Sequence, residues 1–191
     1  MRFPAVLVGV AGLALGTRLV YSDVSRLGVH QGYEPEQPIA FPHRVHAGDN
    51  KIACLYCHSG ARTSRHAGIP SASVCMNCHS LLEKQTTEIQ KLKESVQLGR
   101  PIAWVKVHNL PDYVYFNHSQ HVVSGVACQN CHGAVEQMDR VGQVKPLTMG
   151  FCLDCHRGNA HLPSSGFLRA AQGFSERPKP SAALDCGSCH Y

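Results

Sequence analysis

Ten cysteines in a chain of 191 residues fall into five C-x-x-C pairs, and every pair is followed at once by histidine. They are Cys54-Leu-Tyr-Cys57-His58, Cys75-Met-Asn-Cys78-His79, Cys128-Gln-Asn-Cys131-His132, Cys152-Leu-Asp-Cys155-His156 and Cys186-Gly-Ser-Cys189-His190. C-x-x-C-H is the attachment signature of c-type haem. The spacing has a geometric reason, because two thioethers hold one edge of the macrocycle while the adjacent imidazole is set beneath the iron. Structural zinc competes for C-x-x-C pairs but uses them two by two, and five is odd. Nor does zinc call for histidine after every second cysteine, and five short disulfides would leave the histidines without a role. The pattern implies five covalent haem c groups, with His58, His79, His132, His156 and His190 as proximal iron ligands.

Composition agrees with an interior that side chains do not fill. Hydrophobic residues make up 43% and aromatics 7%, alongside 17 glycines and 11 prolines, and the cysteines and an apolar N-terminus account for part of the 43%. That is thin for a self-sufficient core. The expected fold is a mostly α and irregular multihaem cytochrome c, cored by haem, with one N-terminal transmembrane helix. The formal charge of +5 is offset by two propionates per haem, about ten acidic groups in all. Lysines and arginines pairing with propionates account for it, and no basic motif with interleaved aromatics points to nucleic acid.

Haem c is attached outside the cytoplasm, so the chain has to be exported. Arg2 precedes an apolar run from Phe3 to Gly16 that continues through Thr17-Arg18-Leu19-Val20-Tyr21. A cleaved signal peptide is the simpler alternative, but no A-x-A-like cleavage site is evident. Phe3 to Tyr21 as a helix is roughly 28 Å long, enough to cross if Arg18 snorkels. Residues 1–22 are read as a membrane anchor and 23–191 as a pentahaem cytochrome c domain on the exported side.

That domain contains a repeat. Phe41-Pro-His43-Arg-Val-His46 precedes Cys54, and Phe116-Asn-His118-Ser-Gln-His121 precedes Cys128. A second motif follows each, at Cys75 and Cys152, giving two two-haem units and a fifth haem at the end of the sequence given. With only Tyr191 beyond its motif, the Cys186 haem is expected to be exposed. Between the units, Ser80 to Leu98 reads as a helix with Ser80 and Glu83 as a capping box, stopped by Gly99 and Pro101. Ile102 to Phe116, which holds the only tryptophan, reads as an extended segment over haems or as a docking edge. Residues 157–185 read as irregular chain.

Six-coordinate irons require five further ligands from eight remaining histidines and the methionines. In Phe-x-His-x-x-His, helical spacing places the two imidazoles on neighbouring parts of one face, able to serve two irons. The fifth ligand is open between Met149, three residues before Cys152, His108 and His66, with His161 and His30 further down. A thioether ligand raises a haem's potential relative to a second histidine. Two alternatives to a pure electron carrier are kept. A multihaem reductase needs an open iron position, and a stand-alone membrane quinol dehydrogenase of the small tetrahaem type is compatible with the anchor.

The stretch Phe116-Asn-His118-Ser-Gln-His121 before Cys128 resembles the haem-binding stretch of tetrahaem class III cytochromes c. That resemblance implies that His118 serves the Cys128 haem and His121 another, and by the repeat that His43 serves the Cys54 haem and His46 another. With Ile102 to His121, Pro146-Leu-Thr-Met149-Gly-Phe-Cys152-Leu-Asp-Cys155-His156 and the five haem motifs, the chain resembles the membrane-anchored pentahaem cytochrome c subunit of alternative complex III. The resemblance implies mostly bis-histidine haems, with methionine on one. It also implies a single-pass protein of the bacterial cytoplasmic (inner) membrane with its haem domain on the periplasmic side. Its partners would be an iron–sulfur subunit and polytopic quinol-binding subunits, and its acceptor a soluble carrier or terminal oxidase. The subunit would have no substrate site of its own.

Overall fold

Glycine, proline and the cysteine motifs recur too often for long helices outside the N-terminal run, and the fold is accordingly a set of short helical pieces joined by irregular chain. The computed structural model describes residues 3–24, 28–82, 86–158 and 183–190. The chain divides into two compact units, Met1–His30 and Gln31–Tyr191.

The first unit holds helix α1, Phe3–Val24. Its large apolar side chains, Val10, Leu13, Leu15 and Leu19 among them, are exposed, and the Thr17 hydroxyl donates to the carbonyl of Leu13 (2.9 Å) within the helix. Among the described residues no helix is long and apolar enough to cross a membrane. Side chains are described from Val8 onward. That part of the helix includes the charged residues Arg18 and Asp23. The fold thus lends no support to the anchor expected over residues 1–22.

The second unit is helical and irregular. Among its described residues there is no strand, only an isolated bridge between Val114 and His190. Four cysteine motifs coil into α-helix: α2 (Cys54–Cys57), α3 (Ala72–His79), α6 (Cys128–His132) and α7 (Met149–His156). The fifth forms a 3-10 turn, Cys186–Ser188, capped by Asp185, whose carboxylate accepts from the Ser188 N–H (3.0 Å). Helical spacing explains the preference, since cysteines at i and i+3 and histidine at i+4 lie on one face. Gly133, which ends α6 at φ 75°, has to be glycine, because a Cβ there would run into Val144.

The helix expected over Ser80 to Leu98 begins later. Ser80 ends α3, and helix α4 runs Thr87–Gln97, capped by Thr86, whose hydroxyl accepts from the Ile89 N–H (3.3 Å). The helical run of the cysteine motif carries through to Ser80 and uses it as a C-terminal residue, and the acid on α4 that matters is Glu88. Its carboxylate takes the Ala40 N–H (2.7 Å), tying α4 to the chain around Ile39. Glu83 and residues 84–85 lie outside the described residues, as does most of the 157–185 stretch.

The two Phe-x-His-x-x-His segments cross-pack. The first forms a π-helical turn, Arg44–Asp49, whose Arg44 N–H donates to the carbonyl of Met138 (2.9 Å), beside the 3-10 turn Val135–Gln137 that follows the third motif. The second forms helix α5, His118–Val123, whose Ser119 N–H donates to the carbonyl of Ser64 (3.1 Å), beyond the 3-10 turn Ser59–Arg62 that follows the first motif. Each repeat thus clasps the loop of the other in a pseudo-twofold exchange. Buried apolar side chains are few. Among the described residues they are Ile39, Ala61, Leu92, Val122 and Ala127, and the only side chain fully buried is Gln143. Few apolar side chains among the described residues contribute to a core.

Candidate metal centres

None of the ten cysteines is joined in a disulfide. Among the described residues no three His, Cys, Asp or Glu side chains converge as a bare-ion site requires. The donors are arranged in imidazole pairs instead. Two imidazoles on opposite sides of one metal, each bonded at about 2 Å, have ring centroids about 6 Å apart. His46 and His79 stand at 6.1 Å, His118 and His132 at 6.3 Å, and His121 and His156 at 6.1 Å. In each pair a proximal histidine of a cysteine motif faces a histidine of a Phe-x-His-x-x-His segment. His58 lies near enough to His43 to contribute to the lowering of its pKa.

The rings are oriented as ligands. His58 Nδ1 bonds the carbonyl of Gly68 (2.7 Å), His118 Nδ1 that of Arg65 (2.8 Å), and His156 Nδ1 that of Ala183 (2.7 Å). His46 Nδ1 meets the Pro42 carbonyl (3.0 Å) and His121 Nδ1 the Asn117 carbonyl (2.8 Å), each four residues back. A carbonyl only accepts, so each Nδ1 carries the proton and Nε2 keeps its lone pair for a metal. His43 Nδ1 and His79 Nδ1 are buried and meet no hydrogen-bond partner among the described residues. The phenylalanine of each segment steers the rings. Phe41 stacks on His46 at 4.2 Å and meets His43 edge-on at 4.9 Å, while Phe116 does the same to His121 and His118 at 4.5 and 4.8 Å.

Burial keeps the imidazoles neutral, the form that ligates. Burial first, then the neighbouring His58 and His46, lowers His43 to about 4. Burial, followed by His108, His118 and His58, lowers His132 to about 3. His121 and His79 are shifted down as well, again chiefly by burial, with His156 and His46 respectively adding to it.

The thiols reveal the order of the motifs in space. Cys54 and Cys128 lie close enough to act on each other, which lowers the first and, together with burial, raises the second. Burial and then Cys75, Cys54 and Cys78 raise Cys57. Burial and then Cys155 and Cys152 raise Cys131 to about 11. Burial and then Cys189 raise Cys152. Neighbouring motifs therefore run second, first, third, fourth, fifth. Cys78 and Cys186, in the two end motifs, are the exposed cysteines.

His190 has Tyr113 at 5.7 Å and, among the described residues, no second imidazole at the separation of the other pairs. Met149 is 61% exposed at the start of α7, one turn ahead of Cys152. His108 lies against His132 with centroids 4.3 Å apart, too close to admit a metal between them. His66 and His30 are exposed, and His161 lies outside the described residues. Sequence reasoning did not find Gln143 or the carbonyls that orient the rings. A lone glutamine in irregular chain carries no signal, and a backbone acceptor carries no residue type.

The cysteine pairs, proximal histidines and opposed imidazoles fit covalent haem c. Residues 114–191 match cytochrome c7 and related cytochrome c. The chain is also 37% identical over 100 residues to the menaquinone reductase multihaem cytochrome c subunit of Nitratidesulfovibrio vulgaris strain Hildenborough. That match covers 52% of this chain and 47% of the relative, so the chain spans about half the relative's length. These likenesses are to multihaem c-type cytochromes, proteins of electron transfer.

Proposed function

We propose that the protein is an electron-transfer subunit carrying five covalent c-type haems, relaying electrons between a quinone-active membrane complex and a partner on the exported side. The carrying observation is the unbroken run of neighbouring cysteine motifs, exposed at its two ends. Haem c, when bound, supplies a one-electron iron couple. On this reading two of the chain's side chains would hold each iron and leave no position for a substrate, and the subunit would have no catalytic site of its own. His43 and His58, His46 and His79, His118 and His132, and His121 and His156 are the ligand pairs. Met149 is the partner of His190. It sits one turn from Cys152, whose thiol feels Cys189, and His190 lacks a second imidazole among the described residues. Met149→His is expected to lower the highest midpoint of a redox titration, and an unchanged titration removes Met149 from the set.

The first reading of direction is outward, from quinol through an iron–sulfur subunit to these haems and on to a soluble carrier or terminal oxidase, as in alternative complex III. Its support is the resemblance over Ile102 to His121 and Pro146 to His156. The likeness to a menaquinone reductase subunit favours a second reading, in which electrons run toward the quinone. Attachment to the cytoplasmic membrane rests on Arg2 and the apolar run that follows it in the sequence. Gentle detergent purification from native membranes, with every co-purifying chain identified by mass spectrometry, tests the assignment. Travel with an iron–sulfur subunit and polytopic quinol-binding subunits supports alternative complex III. Elution alone defeats it and leaves a stand-alone quinol dehydrogenase. Reduction of the purified complex by a quinol, or by a reduced soluble cytochrome, then separates the two directions.

A further inference from the structure

His132 is the exception among the oriented rings. Its Nδ1 faces not a carbonyl but the Nε2 of His108, at 3.2 Å and nearly edge-on, with 76° between the planes. On its other side, nearly parallel at 13°, stands His118 at the spacing of two ligands of one metal. With Nε2 of His132 directed to that metal, Nδ1 carries the proton and donates it to His108. We propose that His108 is a positioning residue for the third iron site, accepting the Nδ1–H of His132 so that the ligand is held in one plane and made more electron-rich. This rests on the reading of His132 as the proximal ligand of a covalent haem.

The placement of His108 is built into the fold. The N–H of the next residue, Asn109, donates to Gln143 Oε1 (3.0 Å). Gln143 is 0% exposed, and its Nε2 donates to the Lys145 carbonyl (3.1 Å). Its own N–H donates to the Tyr33 carbonyl (2.9 Å) and its carbonyl accepts from Gly32 (2.7 Å). One buried residue thus ties the segment bearing His108 to its own through its side chain, and that segment to Gly32 and Tyr33 through its backbone. The energetic consequence follows from general ligand chemistry. An acceptor on the far nitrogen raises the basicity of a metal-bound imidazole, which favours the oxidised metal and lowers its potential. A separation of 4.3 Å between ring centres leaves no space for His108 to be an axial ligand opposite His132.

The test is a redox titration of the full-length, haem-loaded protein, followed optically and by EPR, with haem on each cysteine pair counted by mass spectrometry. His108→Phe keeps an aromatic ring of similar size and removes the acceptor. The expected result is five haems, all low-spin, with one midpoint raised and four in place. His108→Gln, whose Oε1 can accept, brings that midpoint back toward the parent value. Gln143→Ala, which frees Asn109, moves the same midpoint the same way by less. His108→Leu repeats the removal should the phenylalanine variant not accumulate. Unchanged midpoints with five haems in place overturn the proposal, and so does a new high-spin signal, which makes His108 an axial ligand. Absence of haem on Cys128 and Cys131 in the parent protein is a separate observable, and it removes the haem reading itself.

Discussion

The two repeats match in how their phenylalanines and outer histidine rings are set and differ in what surrounds those rings. Phe41 and Phe116 hold their histidine pairs alike, and the outer pairs His46–His79 and His121–His156 are tilted by 54° and 53°. The carbonyl four residues back orients the second histidine in both. The proximal rings of the first and third motifs, in contrast, have unlike supports, a Gly68 carbonyl for His58 and an imidazole for His132. The first segment coils as a π-helical turn and the second as α-helix. Duplicated donors give equivalent centres, whereas unlike surroundings make them unequal. In a line of similar centres that inequality is what sets a gradient.

The largest effect that tests this equivalence comes from removing a ligand. His43→Ala and His118→Ala are each expected to turn one low-spin site into a five-coordinate, high-spin one, the first motif's and the third motif's respectively. EPR at low temperature, with haem counted by mass, reads both. Two equal losses at different sites sustain the pseudo-twofold frame. Loss at the second motif's site in the His43 variant would mean that the segment's two histidines are assigned the wrong way round, and the comparison between repeats would fail.

A smaller effect probes where the repeats interlock. Gly48 passes so close to the carbonyl of Glu136 that a Cβ would collide with it, and a backbone oxygen held in a turn cannot swing aside. Val123 occupies the corresponding place in the second repeat and is 42% exposed. Gly48→Ala is expected to cost about 1–3 kcal/mol, and Val123→Ala within about 0.5 kcal/mol. The shift in the midpoint of chaotrope unfolding of each haem-loaded variant measures the contrast. Comparable shifts would show that the two clasps are equally tight.

Much of the site was legible in the sequence because its donors carry distinctive side chains at fixed spacing. The five motifs and Phe-x-His-x-x-His needed only local geometry to interpret. What could not be read was long-range. The order of the motifs in space depends on Cys54 meeting Cys128, and the clasp depends on Arg44 reaching Met138, neither of which leaves a local pattern. His108 was visible as a histidine, but its task depends on which nitrogen of which ring it faces. The start of α4 was misplaced because Ser80 suits either end of a helix, and the chain used it to finish α3. Composition pointed to a thin apolar core, and among the described residues few apolar side chains are buried.

The smallest effect concerns the helices that present the second motif of each repeat. Thr148 caps α7, accepting from the Phe151 N–H at 3.4 Å, whereas Ser71, at the same place before α3, turns its hydroxyl to Ser73 (2.7 Å) and caps nothing. Thr148→Ala is expected to cost about 0.5–1 kcal/mol and Ser71→Ala far less, read as a difference in unfolding midpoint. The consequence reaches further in the second repeat. The first residue of α7 is Met149, where α3 has Ala72, so on the proposed assignment of Met149 to an iron, fraying that turn would loosen a ligand in one repeat and a methyl group in the other. Thr148→Ala should therefore disturb the highest midpoint of the set while Ser71→Ala leaves all five in place. If both or neither disturb it, the cap is not part of what makes the two repeats unequal.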